Sequence, residues 1–230
     1  MMIHKYDELG KANYGWLSTS YHFSFANYYD QSKVHIGSLR VLNDDYIEPN
    51  QGFDTHPHSD MEIVTYIVDG ELTHQDSMGN KRKLGPYGVQ YMSAGTGIQH
   101  SELNEGTNVL HLYQLWILPD RNGHKPDYGD RNFSDQMIQN SFLEIVSSEK
   151  GKGVIHINQE ASIKVGEFDS NQNISIRLED FKYSYLVVID GVVEVDNNII
   201  GKGDAIESKE SYHLTVKENT HILLIRTNDR

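Results

Sequence analysis

From residue 39 onward the chain is written in short apolar segments broken by turn residues. Segments at 39–47, 61–68, 71–76, 89–92 and 109–118 are rich in Val, Ile, Leu and aromatic residues. Pro49-Asn50-Gln51-Gly52, Asp69-Gly70, Ser77-Met78-Gly79-Asn80 and Gly85-Pro86-Tyr87-Gly88 separate them. A second series follows at 154–157, 161–168, 174–178, 183–189, 192–195, 213–216 and 222–225. β-Branched and aromatic residues suit a pleated, half-buried surface, and Gly, Pro, Asn and Asp supply the turns. Many short strands with frequent turns predict an all-β chain built as sandwiches or barrels, with few short helices. Residues 134–145 are the helical candidate. Residues 119–133, with Pro119, Asn122, Gly123, Pro126 and Gly129, read as a linker. The expected division is therefore 1–125 and 126–230.

Composition removes several functions. The 230 residues include no Cys, so disulfides, thiolate ligands and a Cys nucleophile are excluded, and any metal must use nitrogen and oxygen donors. The formal net charge of −13 opposes direct nucleic-acid binding, which rests on Lys and Arg neutralising phosphates. Residues 1–10 lack the apolar core of a signal peptide, and no apolar run approaches membrane-spanning length. These features point to a cytoplasmic protein without membrane contact, a monomer or weak dimer with room for protein partners. No Ser-His-Asp order, phosphate-cradling loop or nucleotide fingerprint is present.

The residues that carry chemistry cluster between Gly52 and Asn104. His56 and His58 stand two apart, as do His100 and Glu102. Side chains at i and i+2 of a strand share a face, so each pair can aim at one point. Three imidazoles and a carboxylate suit a first-row divalent ion and leave positions open for water, substrate or dioxygen. Iron is the expected ion; copper, nickel, cobalt, manganese and zinc suit the same donors. Glu62 has the parity of His56 and His58 and competes with Glu102 for the carboxylate role, although Pro57 and the break before Met61 interrupt that parity. His74, Gln75, Asp76 and His111 are candidates for orienting the ligating rings. Tyr14, Trp16, Tyr21, Phe23, Phe25, Tyr28 and Tyr29 crowd the N-terminal segment, as a hydrophobic plug or as a pocket wall.

The wording of these blocks resembles a known family. His56-x-His58-x3-Glu62 followed by Gly70 resembles the first cupin motif, and Gly97-x2-His100-x3-Asn104 the end of the second. The fuller match is to the pirins, a bicupin family, through Phe23–Tyr29, Arg40–Asp45, Thr55-His56-Pro57-His58, His74–Gly79, Ser93–Glu102 and His111–Trp116. The resemblance covers residues 21–118 densely and continues beyond about residue 130 only in length and layout. It implies two jelly-roll barrels, with His56, His58, His100 and Glu102 as metal ligands of the first. It also implies a quercetin 2,3-dioxygenase, which opens a flavonol ring with O2 and releases CO, or a metal-dependent regulatory protein without turnover. In the first case the partners are an aromatic flavonol and O2, and Glu102 is the catalytic base.

A faint repeat supports two lobes. Tyr66–Leu72 parallels Val187–Val193, and aligning Gly70 with Gly191 sets His56 opposite Arg177 and His58 opposite Glu179. The second lobe thus lacks the His pair. Its own His156, His213 and His221 show no ligand spacing, so one metal per chain is expected, in the first lobe.

Overall fold

The computed structural model describes residues 1–149, 151 and 153–230. In chain order the strands are β1 (Met2–His4), β2 (Gly10–Asn13), β3 (Leu17–Tyr21), β4 (Leu39–Ile47), β5 (Gln51–His58), β6 (Glu62–Asp69), β7 (Leu72–Asp76), β8 (Lys81–Leu84), β9 (Gly88–Ser93), β10 (Ile98–Asn104), β11 (Leu110–Ile117), β12 (Asp127–Asn132), β13 (Ser141–Ser147), β14 (Ile155–His156), β15 (Ala161–Phe168), β16 (Asn173–Ile176), β17 (Tyr183–Asp190), β18 (Val193–Val195), β19 (Asn198–Ile200), β20 (Ala205–Ser208), β21 (Tyr212–Val216) and β22 (Thr220–Thr227). Among the described residues the only helical elements are single 3₁₀ turns at Tyr6–Glu8 and Ser134–Gln136. Among the same residues no helix is long and apolar enough to cross a membrane.

Two compact units emerge. One holds Gly10–Asp135, Ile157–Gln159 and Arg230; the other holds Met1–Leu9, Gln136–His156 and Glu160–Asp229. The first pairs a seven-stranded sheet, β12-β9-β6-β11-β4-β3-β2, with a four-stranded sheet, β5-β10-β7-β8. The second repeats that plan with β1-β20-β17-β22-β15-β13-β14 and β16-β21-β18-β19. Each is a two-sheet jelly roll, and the chain is all-β with the cupin fold. The Asp-Gly of the sequence repeat turns the chain at equivalent places: Gly70 (φ 86°) links β6 to β7, and Gly191 (φ 89°) links β17 to β18. Both lie in the left-handed region that glycine tolerates without a Cβ penalty.

Burial follows position in the sheets. β6 and β11 are central and almost wholly buried, so they read as continuous apolar runs. β8, the basic Lys81-Arg82-Lys83 run, is an outer edge, where Lys blunts pairing with other chains. Ile47, Ile67, Leu72, Leu110 and Leu112 form one core cluster of the first unit, and Ile63, Met92, Ala94 and Ile98 another.

Three sequence expectations change. Residues 134–145 are not a helix; after the 3₁₀ turn, β13 pairs with β15, and Ile145 and Val146 are buried. The β-branched pair favours a pleated surface once a partner strand is available. Residues 119–133 are not simply a linker, because β12 pairs with β9 throughout Asp127–Asn132 and extends the first unit's sheet. The first unit therefore runs past residue 125, and Met1–Leu9 belongs to the other unit, where β1 pairs with β20.

Candidate metal centre

His56 and His58 lie on β5, and His100 and Glu102 on its neighbour β10, with His100 directly opposite His56. The register slips between His100 and Glu102, where Glu102 faces Phe53. The bulge lies in β5 around Asp54 and Thr55, and it exchanges the faces of that strand. Phe53 on one side of it and His56 and His58 on the other consequently line the same pocket despite opposite parity. On its other flank β10 runs regularly against β7, pairing His100 with Asp76 and Glu102 with His74. Gly95 (φ 46°) and Gly97 (φ 134°) bend the chain into β10, and a Cβ on Gly95 would stand 2.0 Å from the His124 carbonyl oxygen.

The donor atoms of His56, His58 and His100 lie within 4.8 Å of one another, as do those of His74, His100 and Glu102. His100 belongs to both groups. The His100 and His56 Nε2 atoms are 3.1 Å apart. Two nitrogens at a typical bond length of about 2.1 Å from one ion, at right angles across it, would stand about 3.0 Å apart. His56 Nδ1 sits 2.7 Å from the Asp54 carbonyl oxygen, which makes Nδ1 the donor and leaves Nε2 its lone pair. Burial, then the neighbouring rings of His100 and His56, lowers His58 to about 4 against the opposing pull of Glu102. Burial, then His56 and His74, lowers His100 to about 3 against Asp76. Both rings are thus neutral near pH 7 and present lone pairs, so the donor set fits a divalent cation.

The two candidate carboxylates are sorted by their partners. Glu62 opens β6, in the seven-stranded sheet, while β5 lies in the four-stranded one, so parity does not carry across the bend. Its Oε1 accepts from Ser93 Oγ at 2.6 Å, and its Oε2 accepts from the Asn158 N–H at 3.0 Å and from the Tyr91 hydroxyl. Glu62 is fully buried, holds three segments together and belongs to neither converging donor group. Glu102 faces them. Gln114 Nε2 donates to its Oε2 at 2.7 Å, Gln90 Nε2 donates to its Oε1, and Thr65 Oγ1 stands 3.4 Å from Oε1. Trp116 Nε1 donates to Gln114 Oε1 at 3.0 Å and so fixes the amide that orients Glu102. Oε2, which accepts only from Gln114, has a second lone pair free for a further partner.

Of the other expected residues, His74 is buried beside His100, its Nε2 3.3 Å from Asp76 Oδ2 and its ring stacked on Tyr128 at 4.5 Å. Burial pushes the Asp76 carboxyl up, but hydrogen bonds from Asn80 and His74 outweigh it and hold the group below its ordinary value. Gln75 is exposed, on the other face of β7. His111 pairs with Asp44 at 2.7 Å and stacks on Tyr46, outside both donor groups.

A cavity of about 380 Å³ opens at this centre. Trp16, Phe25, Phe53 and Trp116 give it aromatic walls, and His56, His58 and Glu102 reach into it. The Trp116 ring meets His58 edge to face at 4.9 Å and Phe25 at 5.2 Å. The N-terminal aromatics are thus divided in role. Tyr14, Trp16, Tyr21 and Phe25 line the pocket, while Phe23 is buried. In the second unit Arg226 occupies the register of Trp116: Arg226 pairs with Ser184 as Trp116 pairs with Ile63. Its guanidinium binds Glu179 and the Arg177 carbonyl oxygen, the two residues aligned with the His pair. Among the described residues, both converging donor groups lie in the first unit.

The pirin profile matches residues 3–117, and the profile described as quercetinase C-terminal cupin domain matches residues 144–226. The chain belongs to the pirin family. A quercetin 2,3-dioxygenase of Escherichia coli O157:H7 is 39% identical over 225 residues, with 96% of each chain covered. A pirin-like protein of Caulobacter vibrioides is 37% identical over 223 residues, again with 96% of each covered. The crystal structure of the bacterial pirin YhhW from Escherichia coli in complex with nickel(II) superposes with a TM-score of 0.93 at 34% identity, covering 100% of this pirin and 99% of that chain. Sequence reasoning missed Gln90, Gln114 and Thr65, the residues that hold Glu102, and Asn158, which reaches Glu62 from beyond β14. A polar residue inside an apolar strand was the available signal for the first three.

Proposed function

We propose that this pirin is a metal-dependent dioxygenase that opens the flavonol ring of quercetin with O2 and releases CO. His56, His58, His100 and Glu102 are its ligands to one divalent ion per chain, iron by expectation. The observation that carries this reading is the convergence of neutral imidazoles on an aromatic-walled cavity. When bound, the ion supplies Lewis acidity to the flavonol 3-hydroxyl and a site for dioxygen chemistry. The protein's own part is positioning and proton transfer. Trp16, Phe25, Phe53 and Trp116 pack on the planar rings and exclude water. Glu102, held by Gln90 and Gln114, takes the proton of the 3-hydroxyl as general base. The names of relatives as quercetin 2,3-dioxygenases and the nickel bound by YhhW support the same reading.

The test is elemental analysis of the purified protein followed by anaerobic reloading with each ion and assay with quercetin and O2. Carbon monoxide release by at least one loaded form is the expected result. A fully loaded protein that leaves quercetin intact with every ion would refute turnover and leave the regulatory reading, in which the metal-bound fold serves a protein partner.

A further inference from the structure

Most buried polar groups of the first unit are paired: Glu62 by Tyr91, Ser93 and Asn158, Glu102 by Gln90 and Gln114, and Asp44 by His111. Among those with an atom left unpartnered, three sit together on the cavity wall. Asn43 Oδ1 has no hydrogen-bond partner, and Thr19 Oγ1 and Asp45 Oδ1 have none beyond the looser approach of the Thr19 hydroxyl to Asp45 and Tyr21. The three residues are 3%, 3% and 2% exposed. Asn43 and Asp45 stand two apart on β4 and share a face, and Thr19 on β3 is directly opposite Asp45. All three line the cavity that His56, His58 and Glu102 reach. The imidazoles come from the four-stranded sheet and these three residues from the seven-stranded one, so each sheet supplies one polar cluster to an otherwise apolar cavity.

A buried polar atom without a partner is costly, and such groups persist where a ligand completes them. We propose that Thr19, Asn43 and Asp45 form a hydrogen-bonding cradle for phenolic hydroxyls of the ligand other than the one that faces the imidazoles. The pocket then selects planar aromatic compounds hydroxylated at two separate positions over those hydroxylated at one. This rests on the reading of the pocket as a flavonol site. Hydroxyl oxygen and carboxylate accept from phenols, and the Asn43 amide can accept or donate. Burial, with Asp44 and Glu102 adding to it and Thr19 opposing, raises the Asp45 carboxyl to about 7. Near neutral pH Asp45 therefore offers either an acceptor or a proton to the ligand.

The test uses the metal-loaded full chain under anaerobic conditions, so that no turnover occurs, and measures binding by calorimetry. Quercetin carries hydroxyls on both ends of the molecule; 3-hydroxyflavone carries only the 3-hydroxyl. The intact protein is expected to prefer quercetin by roughly 10- to 100-fold, the range for hydrogen bonds to a buried, partly charged site. Asp45→Ala and Thr19→Val should reduce that preference to within about threefold, leave 3-hydroxyflavone affinity and metal content unchanged, and keep or raise the melting temperature of the ligand-free protein. A structural role would instead lower that temperature. Persistence of the full preference in both folded variants overturns the cradle alone. Preferential binding that depends on Asp45 without oxygenation when air is admitted supports the cradle and refutes turnover. Failure of the intact loaded protein to bind either flavonol overturns both readings.

Discussion

The two carboxylates of the sequence motifs make opposite predictions. Glu62→Gln replaces a carboxylate that accepts three hydrogen bonds, from Ser93, Asn158 and Tyr91. A Gln carbonyl can keep the two donors on Oε2, and its amide nitrogen must then meet Ser93, whose hydroxyl turns to accept. What is lost is the charge assistance of all three bonds. A bond to a charged group contributes about 1.5–3 kcal/mol against about 1 kcal/mol for a neutral one, so the expected cost is roughly 2 kcal/mol. For a chain of this size each 1 kcal/mol lowers the melting temperature by about 2–4 °C, which gives a fall of roughly 4–8 °C. Metal content should stay at one ion per chain. Glu102→Gln should differ in what it does to the metal. Stability should fall by a similar amount, since Gln90 and Gln114 also lose a charged acceptor, but metal affinity should fall by at least the roughly 10–100-fold that follows loss of an outer-sphere partner, and turnover at matched occupancy should fall about 10²–10⁴-fold with the base removed. Thermal melts of the metal-free variants, elemental analysis and a quercetin assay at equal loading decide the matter. A Glu62→Gln protein that melts normally but loses metal, beside a fully active Glu102→Gln protein, would refute the assignment.

His56→Ala and His100→Ala should each abolish stable metal loading, whereas His213→Ala, at an exposed position in the second unit, should retain one equivalent; elemental analysis after dialysis reads this. Lowering the pH should destabilise the metal-free protein. The folded values of about 4 for His58 and 3 for His100 lie below the ordinary imidazole value near 6.5, so the unfolded chain binds protons that the folded chain refuses. Stability is therefore full above pH 6.5 and declines as pH falls toward 3, and chemical denaturation of chelator-treated protein at pH 7 and 5 should show that slope, not a flat or rising one. Deleting residues 1–5 should cost the second unit roughly 2–4 kcal/mol through loss of the β1–β20 ladder and the Lys5–Asp204 pair, with metal content of the first unit unchanged.

Much of the candidate centre was legible in the sequence because both donor pairs are local and strand geometry makes i and i+2 neighbours. The Gly residues before His100 and the Asp-Gly turns at 70 and 191 carried the same local information. What was not legible depended on pairing between distant segments. Phe53 joins the pocket only because β5 bulges against β10. Glu62 loses its apparent parity with the His pair because the chain changes sheets between His58 and Glu62. Asp127–Asn132 reads as linker since its residues are polar and irregular, and it is a strand only because β9 offers it an edge. The partners of Glu102 come from β6, β9 and β11, and no spacing in the chain announces that Thr65, Gln90 and Gln114 meet.

The place of β1 also sets a timetable for biosynthesis. Met2–His4 leaves the ribosome well before its ladder partners, Ala205–Glu207, which are about 200 residues later, as the 203-residue separation of His4 and Glu207 shows. At roughly 5–20 residues per second, that segment waits about 10–40 s for the strand it will join, and the first unit can fold in the meantime. A long apolar segment left waiting would invite pairing with neighbouring nascent chains. Three residues, one of them His, offer too few backbone groups for that, and so the shortness of β1 protects the growing chain until its edge of the second barrel exists.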